Sequence, residues 1–389
     1  MRLNVQSICL FFVLIPFLNG CSQDDELAYE YIVFPNGEQV QAEKPSIDTN
    51  IKDGEEVSIL PSRWMDYYRD LSDYTNVDKL YASGVEISKP EAVKVKWTCE
   101  DNFESFEVYL ATNREMKNTS LYTCDDKEVA FYDLFAGTHY YYQIVAKYID
   151  KTVVSRRFDF KTYDFFRTID INGVCNARDI GNKKTDNNKQ KVKQGLVYRS
   201  ASLDDVTSFG IKDSIKRYSI KTDLDLRESG PTSSPLGSDV SYINNGVGDS
   251  GSPMYTSLES GVNNEIYREV MKNNLKVFTD SNNFPLVFHC AVGRDRTGTL
   301  AITLFLLLGI NLEQIKQDYM VSFFSRACNS EDLFSYNNEM LSLIEFFNHY
   351  RGKNMSNKSI YEKAEAYCLD IGLTKDDISL IRNNLLENI

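Results

Sequence analysis

The hydrophobic pattern changes period three times along these 389 residues. Ile8 to Leu18 form an unbroken apolar run behind Arg2, too short to cross a bilayer and shaped like the core of a secretory signal. From 86 to 162 apolar and polar positions alternate. Val93, Val95 and Trp97 keep that rhythm, as do Phe106, Val108 and Leu110, then Tyr142, Ile144 and Ala146, and last Phe158 and Phe160. Period two over short runs predicts strands with one buried face, hence an all-β sandwich. Beyond 165 the period changes again. Phe284-Pro285-Leu286-Val287-Phe288 is continuous enough to be a buried parallel strand, and Leu300 to Ile310 is apolar at helical length with Gly309 near its end. Thr374 stands where the N-cap of a last helix belongs. The stretch 21–85 has less pattern. Tyr31-Ile32-Val33-Phe34 and Val40 flank Pro35-Asn36-Gly37, a hairpin turn, and the aromatic run from Arg63 to Tyr68 is best read as packing. The expected organisation is a signal (1–20), a region of unclear fold (21–85), a β-sandwich (86–162) and an α/β domain (165–389), in keeping with a length beyond one core.

Chemistry concentrates where the period changes from strand to helix. His289-Cys290-Ala291-Val292-Gly293-Arg294-Asp295-Arg296-Thr297-Gly298 joins the apolar strand to the apolar helix. A strand, a tight loop and a helix N-terminus make an anion cradle, with successive N–H groups pointing inward and the helix dipole favouring negative charge. A cysteine in such a cradle is a nucleophile, where elsewhere it is a small core residue. Arg296 can clamp two phosphate oxygens with its planar fork.

The run resembles the Cys-x5-Arg signature of the protein tyrosine phosphatase superfamily. Arg294-Asp295-Arg296 looks like the Lys-Asp-Arg of a bacterial and fungal subfamily with an HCxxGxDRTG loop. Asn176-Ala177-Arg178-Asp179-Ile180-Gly181, Gly195 to Ser200, Asp223-Leu224-Asp225-Leu226-Arg227 and Asp318-Tyr319-Met320-Val321-Ser322 resemble further elements of that subfamily in the same order. The resemblance implies an α/β phosphatase domain with a mainly parallel sheet flanked by helices. It implies a phosphocysteine on Cys290, phosphate held by Arg296 and by loop residues Ala291 to Gly298, His289 poising the loop, and Thr297 donating to the sulfur. The general acid is expected to be Asp295, inside the loop, with Asp249, on a separate stretch, as the alternative. Arg178, Asp179 and Arg199 are supporting residues, with direct substrate contact or buried ion pairs as alternatives. Two positions depart from the pattern: Asn182 stands where a glycine is usual, and Arg294 replaces a lysine. The substrate is a phosphorylated protein of phosphotyrosine type or another small phosphomonoester. A second reading is an inositol phosphate or phosphoinositide, favoured by a loop made more cationic by Arg294. A third is a catalytically degenerate surface binding protein, against which the intact Cys290, Arg296 and Thr297 speak.

The sandwich resembles fibronectin type III domains, with Trp97 on an early strand and a tyrosine corner near Tyr140. Leu18-Asn19-Gly20-Cys21 resembles a bacterial lipobox, which makes Cys21 a lipidated first residue and the chain an extracytoplasmic protein tethered to a membrane, the outer one being favoured. Composition narrows the rest. A net charge of −13 disfavours nucleic acid as a partner. The 3 histidines are scattered and no metal-ligand spacing occurs, so neither metal nor cofactor is expected. Of 8 cysteines, those outside the signal, the lipobox and the loop are odd in number, with a Cys99–Cys124 bridge as the one pairing of note.

Overall fold

The computed structural model describes residues 7–8, 31–33, 39–41, 47–61, 84–149, 151–246, 257–328 and 333–389. Cys21, Asp249 and the Trp64 stretch lie outside these residues, as does the turn Pro35-Asn36-Gly37, although Tyr31–Val33 and Gln39–Gln41 pair antiparallel on either side of it. The chain divides into two compact units, one of 1–59 with 91–164 and the other of 60–90 with 165–389. That division differs from the expected one at the N-terminal side. Glu55–Val57 adds a parallel strand to Phe158–Thr162, and Asp48–Thr49 pairs with Val93–Thr98, so the region of unclear fold supplies strands to the first unit.

In the first unit one sheet runs in the order Thr119–Cys124, Phe103–Ala111, His139–Tyr148, Phe158–Thr162, Glu55–Val57. A second comprises Asp48–Thr49, Val93–Thr98 and Glu128–Phe131. The alternation read from the sequence is what lets them pack: along Val93–Thr98 every second residue is buried. Trp97 meets Phe106 edge-on at 5.0 Å, and Phe131 stacks on Phe160 at 6.2 Å, each pair joining one sheet to the other. Cys99 and Cys124 are both free thiols, so the bridge between them is not formed.

The second unit is α/β. Its sheet has β1 (Arg167–Thr168), β2 (Arg178–Asp179), β3 (Val197–Ser200), β4 (Thr222–Asp225), β5 (Ser241–Asn244) and β6 (Leu286–His289), in the spatial order β1-β2-β3-β6-β4-β5. The four central and right-hand strands β3, β6, β4 and β5 are parallel, and β1 and β2 extend the sheet antiparallel. β6 is buried along its whole length, as its continuous apolar sequence requires. Its successive residues face opposite ways. Val287 joins a cluster with Tyr198, Leu203 and Tyr218 at the end of α1 (Ser208–Lys216), whereas Phe288 meets Phe278 at the end of α2 (Glu265–Val277). Behind the loop after β6 runs α3 (Asp295–Leu308), buried from Thr297 onward and closed by Gly309 in the left-handed region at φ 75°. It packs against α6 (Ile360–Asp370), with α4 (Leu312–Met320) and α5 (Leu333–Asn348) between them in sequence and α7 (Lys375–Leu385) after. Thr374 caps α7 in a reciprocal pair with Asp377.

Among the described residues no helix is long and apolar enough to cross a membrane.

Candidate active site

β6 sits between β3 and β4 with His289 opposite Ser200 and Asp225, so the loop after it emerges at the carboxyl edge of the parallel strands. The loop is shaped by what its carbonyls bond to. His289 O accepts from Leu226 N (2.8 Å), Ala291 O from Ser202 N (3.0 Å), Val292 O from Asn176 Nδ2 (3.0 Å) and Gly293 O from Arg199 Nη2 (2.8 Å). Cys290 O faces His289 Nδ1 at 3.3 Å. In a trans peptide the carbonyl and the following N–H point in opposite directions. Carbonyls turned outward to the scaffold therefore turn the following N–H groups, those of Ala291 to Arg294, to the opposite side. This is an anion nest, completed by the N-terminus of α3.

Gly293 is required for the turn. It lies at φ 73°, and a Cβ there would stand 2.3 Å from Ser200 O. Gly298 is required for the packing beneath: its Cβ would stand 2.8 Å from the Tyr319 ring. We expect Gly293→Ala to lower activity at least tenfold and to destabilise the fold by roughly 1–3 kcal/mol through left-handed strain and backbone collision; steady-state turnover and denaturant unfolding of the purified variant check this.

Cys290 is 3% exposed, at the bottom of the nest. Arg296, in the first turn of α3, is partly exposed and lies 3.8 Å from Glu228 Oε1, which also accepts from the Tyr267 hydroxyl. Thr297 Oγ1 is buried and has no hydrogen-bond partner among the described residues. A second thiol, that of Cys328, lies beside the loop. Cys328 Sγ is 3.7 Å from Val292 O, and burial pushes its thiol up to about 12.

Arg294 is where expectation and structure part. Its side chain is 4% exposed, lies over the Phe323 ring and donates from Nε (2.8 Å) and Nη2 (3.2 Å) to the two oxygens of Asp295. Longer and planar where a lysine is usual, it folds back on the adjacent carboxylate and fills an apolar site with its stem. The extra positive charge expected at the mouth of the loop is therefore buried and paired with Asp295. The same pair engages Asp295: delivering a proton from it requires breaking one of two bonds to a guanidinium.

Arg178 and Arg199 are fully buried and converge on Asp318, so of the alternatives left open they take the ion-pair one. Arg199 Nη1 lies 2.5 Å from Asp318 Oδ2, and Arg178 donates to Asp318 Oδ1 (3.4 Å), to its carbonyl (2.7 Å) and to Ser322 Oγ (3.1 Å). Lys183 Nζ adds a third cation, 3.1 Å from Asp318 Oδ1. Burial alone would push the Asp318 carboxyl up, but Lys183, Arg178 and Arg199 together outweigh it and hold it well below the usual carboxylate range. Asp179 fixes the adjoining turn, accepting from Gly181 N (2.7 Å), Gly195 N (2.6 Å) and Arg167 Nη1 (2.9 Å). The residue at the unusual position, Asn182, sits at φ 66°, a conformation asparagine tolerates next best after glycine.

Sequence reading missed Glu228 and Cys328 as neighbours of the loop and Lys183 as a partner of Asp318, and named Asp223, Asn176 and Asp318 only as members of longer runs. A signal existed for Asp318: within α4 it falls three residues after Ile315, on the buried side, where a lone carboxylate implies partners. Glu228 follows directly on Asp225-Leu226-Arg227 past the end of β4, on the edge that carries the site.

Residues 169–387, the α/β unit from just after β1 through the last helix, match the model of the tyrosine phosphatase family. The chain belongs to that family. It is accordingly a cysteine-based phosphatase, a phosphomonoester hydrolase, and the reading as a degenerate binding protein gives way. Among solved structures, the Siw14 catalytic core is 15% identical, covering 42% of this chain and 94% of that one at a TM-score of 0.26. The core catalytic domain of the PP-IP phosphatase SIW14 from S. cerevisiae, in complex with citrate, is 16% identical, covering 40% of this chain and 92% of that one at a TM-score of 0.25. No curated protein matches this chain.

Proposed function

We propose that the tyrosine phosphatase domain of this chain hydrolyses singly phosphorylated esters of phosphotyrosine type through a phosphocysteine on Cys290. The observation that favours this substrate class is the burial of Arg294 against Asp295, together with Glu228 beside Arg296. A ring bearing several phosphates would call for unpaired cations around the loop. Here the second arginine is neutralised, and a carboxylate lies next to the first. In the reaction the Cys290 thiolate attacks phosphorus, the loop N–H groups and Arg296 hold the equatorial oxygens, and the ester oxygen leaves with a proton. Water then attacks the phosphocysteine, and the Thr297 hydroxyl donates to the departing sulfur. The acid is the one role with two candidates, Asp295 and Asp249. The Asp295 carboxylate is committed to Arg294, which favours Asp249.

Turnover of an aryl phosphate, a phosphotyrosine peptide and inositol hexakisphosphate by the same preparation tests the reading. The expected order is peptide, then aryl phosphate, with the inositol phosphate slowest; a preference for the inositol phosphate contradicts it. Thr297→Val keeps the volume and removes the hydroxyl. We expect the first turnover to remain fast and the steady state to fall by about 10- to 100-fold, seen as a burst of aryl alcohol.

Two further readings belong with this one. Tyr140 Oη accepts from Phe135 N at 2.7 Å, a tie back along the chain of the kind found in tyrosine corners, which supports a fibronectin type III-like first unit. The apolar run ending in Leu18-Asn19-Gly20-Cys21 supports a lipid anchor on Cys21 and an extracytoplasmic, membrane-tethered enzyme. Metabolic labelling with a fatty acid, lost in Cys21→Ser, tests the anchor.

A further inference from the structure

Residues 84–90 run directly before the strand Val93–Thr98, yet they belong to the second compact unit and lie upstream of the family match, which begins at 169. The segment is bonded to the chain that leaves α4. Ile87 N donates to Phe324 O (3.1 Å). Glu86 Oε2 accepts from Ser325 Oγ (2.8 Å) and from Arg326 N (3.1 Å), while Glu86 Oε1 accepts from Ser88 Oγ. Lys89 ties the far end of the segment to Asp170, 2.9 Å away. Ser325 and Ser88 are both buried, so their hydroxyls need an acceptor within the protein, and Glu86 supplies it.

What Glu86 holds is next to the loop that carries Cys290. Ser322 Oγ accepts from Arg178 Nη2 (3.1 Å), the Phe323 ring lies against Arg294, and Cys328 Sγ stands 3.7 Å from Val292 O. Cys328 N in turn donates to Ser325 O (3.0 Å). Arg326 Nε donates to Cys175 Sγ (2.8 Å), and the residue after Cys175, Asn176, donates from Nδ2 to the same Val292 O (3.0 Å). The two side chains that meet Val292 O are therefore both tied to one dipeptide, Ser325-Arg326. Asn176 reaches it through Cys175, and Cys328 through the Ser325 carbonyl. The direction of Val292 O sets the direction of the Gly293 N–H, because the peptide between them is planar and trans. We propose that Glu86 is a positioning residue of the phosphatase reaction, fixing Ser325-Arg326 and, through them, the Val292–Gly293 peptide of the phosphate loop. An oxygen that accepts from a side-chain hydroxyl and the next backbone N–H together fixes both the rotamer of Ser325 and the path of the chain at Arg326. Glu86 does this from outside the stretch that the family shares, so the catalytic unit of this chain begins at 84 and not at 165.

The inference rests on the loop being the phosphate site, and its test is separable from the role of Cys290. Glu86→Ala removes the acceptor. Glu86→Gln keeps an amide oxygen for Ser325 and Arg326 and turns an N–H to Ser88 Oγ. In the full chain we expect Glu86→Ala to lower kcat on an aryl phosphate about tenfold and to weaken calorimetric binding of inorganic phosphate about fivefold, with Glu86→Gln restoring both to within about twofold of wild type. The binding arm is repeated in a Cys290→Ser background, where it reads the loop without the nucleophile. A loss of stability alone would shift the denaturant midpoint and leave the phosphate affinity of the folded protein as it was. Phosphate affinity of Glu86→Ala within about twofold of wild type overturns the proposal, whatever the activity, and so does a Gln variant as weak as the Ala variant. Ser325→Ala removes one partner of Glu86 and leaves residues 84–90 intact; it is expected to weaken phosphate binding about threefold. Unchanged binding in that variant overturns the proposal even if Glu86→Ala fails to fold.

Discussion

Cys290→Ser is expected to abolish turnover, by about four orders of magnitude or more, while leaving the fold and phosphate binding in place. The exchange is nearly isosteric in a site that is 3% exposed, and the anion nest is made by backbone groups that the substitution does not touch. What is lost is the nucleophile: a serine hydroxyl does not ionise near neutral pH, and among the described residues no base lies beside it to take its proton. His289 cannot serve, since both its nitrogens are directed at Asp223 and the Cys290 carbonyl. The measurement pairs steady-state kinetics on an aryl phosphate with calorimetric binding of inorganic phosphate. Lost turnover with retained binding is the expected pair. Residual activity within a hundredfold of the wild type would place the chemistry on another residue.

The second large effect lies beneath the loop. Asp318→Asn leaves Arg178, Arg199 and Lys183 buried together without their shared counter-charge. Breaking a buried pair from one side typically costs about 3–5 kcal/mol, because the partner charge stays behind uncompensated. Here three partners stay behind, so the upper end is expected, measured as a shift in the denaturant midpoint of the catalytic unit. Activity should fall with it, since Arg199 connects Asp318 to the Gly293 carbonyl and so to the shape of the nest. The pH dependence has a definite sign. The Asp318 carboxyl is held below its unfolded value by the three cations. Its stabilisation is therefore complete above about pH 4 and is lost as pH falls toward the folded value. Wild type and variant should differ most near neutral pH and converge in acid. A stability gap that widens below pH 4 would contradict the assignment.

How much of this was legible in the sequence follows from the range of each interaction. The strand Leu286–His289, the loop and α3 were readable because their signals are local: a continuous apolar run, glycines at tight places and a cysteine at the helix start. The alternation from 93 to 160 gave the strands of the first unit for the same reason, but not that Glu55–Val57 would join them from far upstream. Contacts across long separations were beyond reach. Nothing local to Asp318 says that Arg178, 140 residues earlier, ends on it, nor that Asp223 reaches His289 across 66. Arg294 shows the limit most clearly. Its sequence neighbours suggested a more cationic mouth, and only the position of Phe323 and the adjacent Asp295 decided that the guanidinium would fold inward.

The central claim is a covalent phosphocysteine, and rapid acid quenching tests it most directly. Enzyme mixed with an aryl phosphate would be quenched within the first turnovers, digested and examined by mass spectrometry, with the Thr297→Val variant used to prolong the intermediate. The expected result is one phosphoryl group on Cys290, in the peptide that contains Arg296, appearing with the burst of aryl alcohol and absent from Cys290→Ser. Full turnover with no phosphoryl group on Cys290 at any time, or with the group on a different residue, would contradict the account.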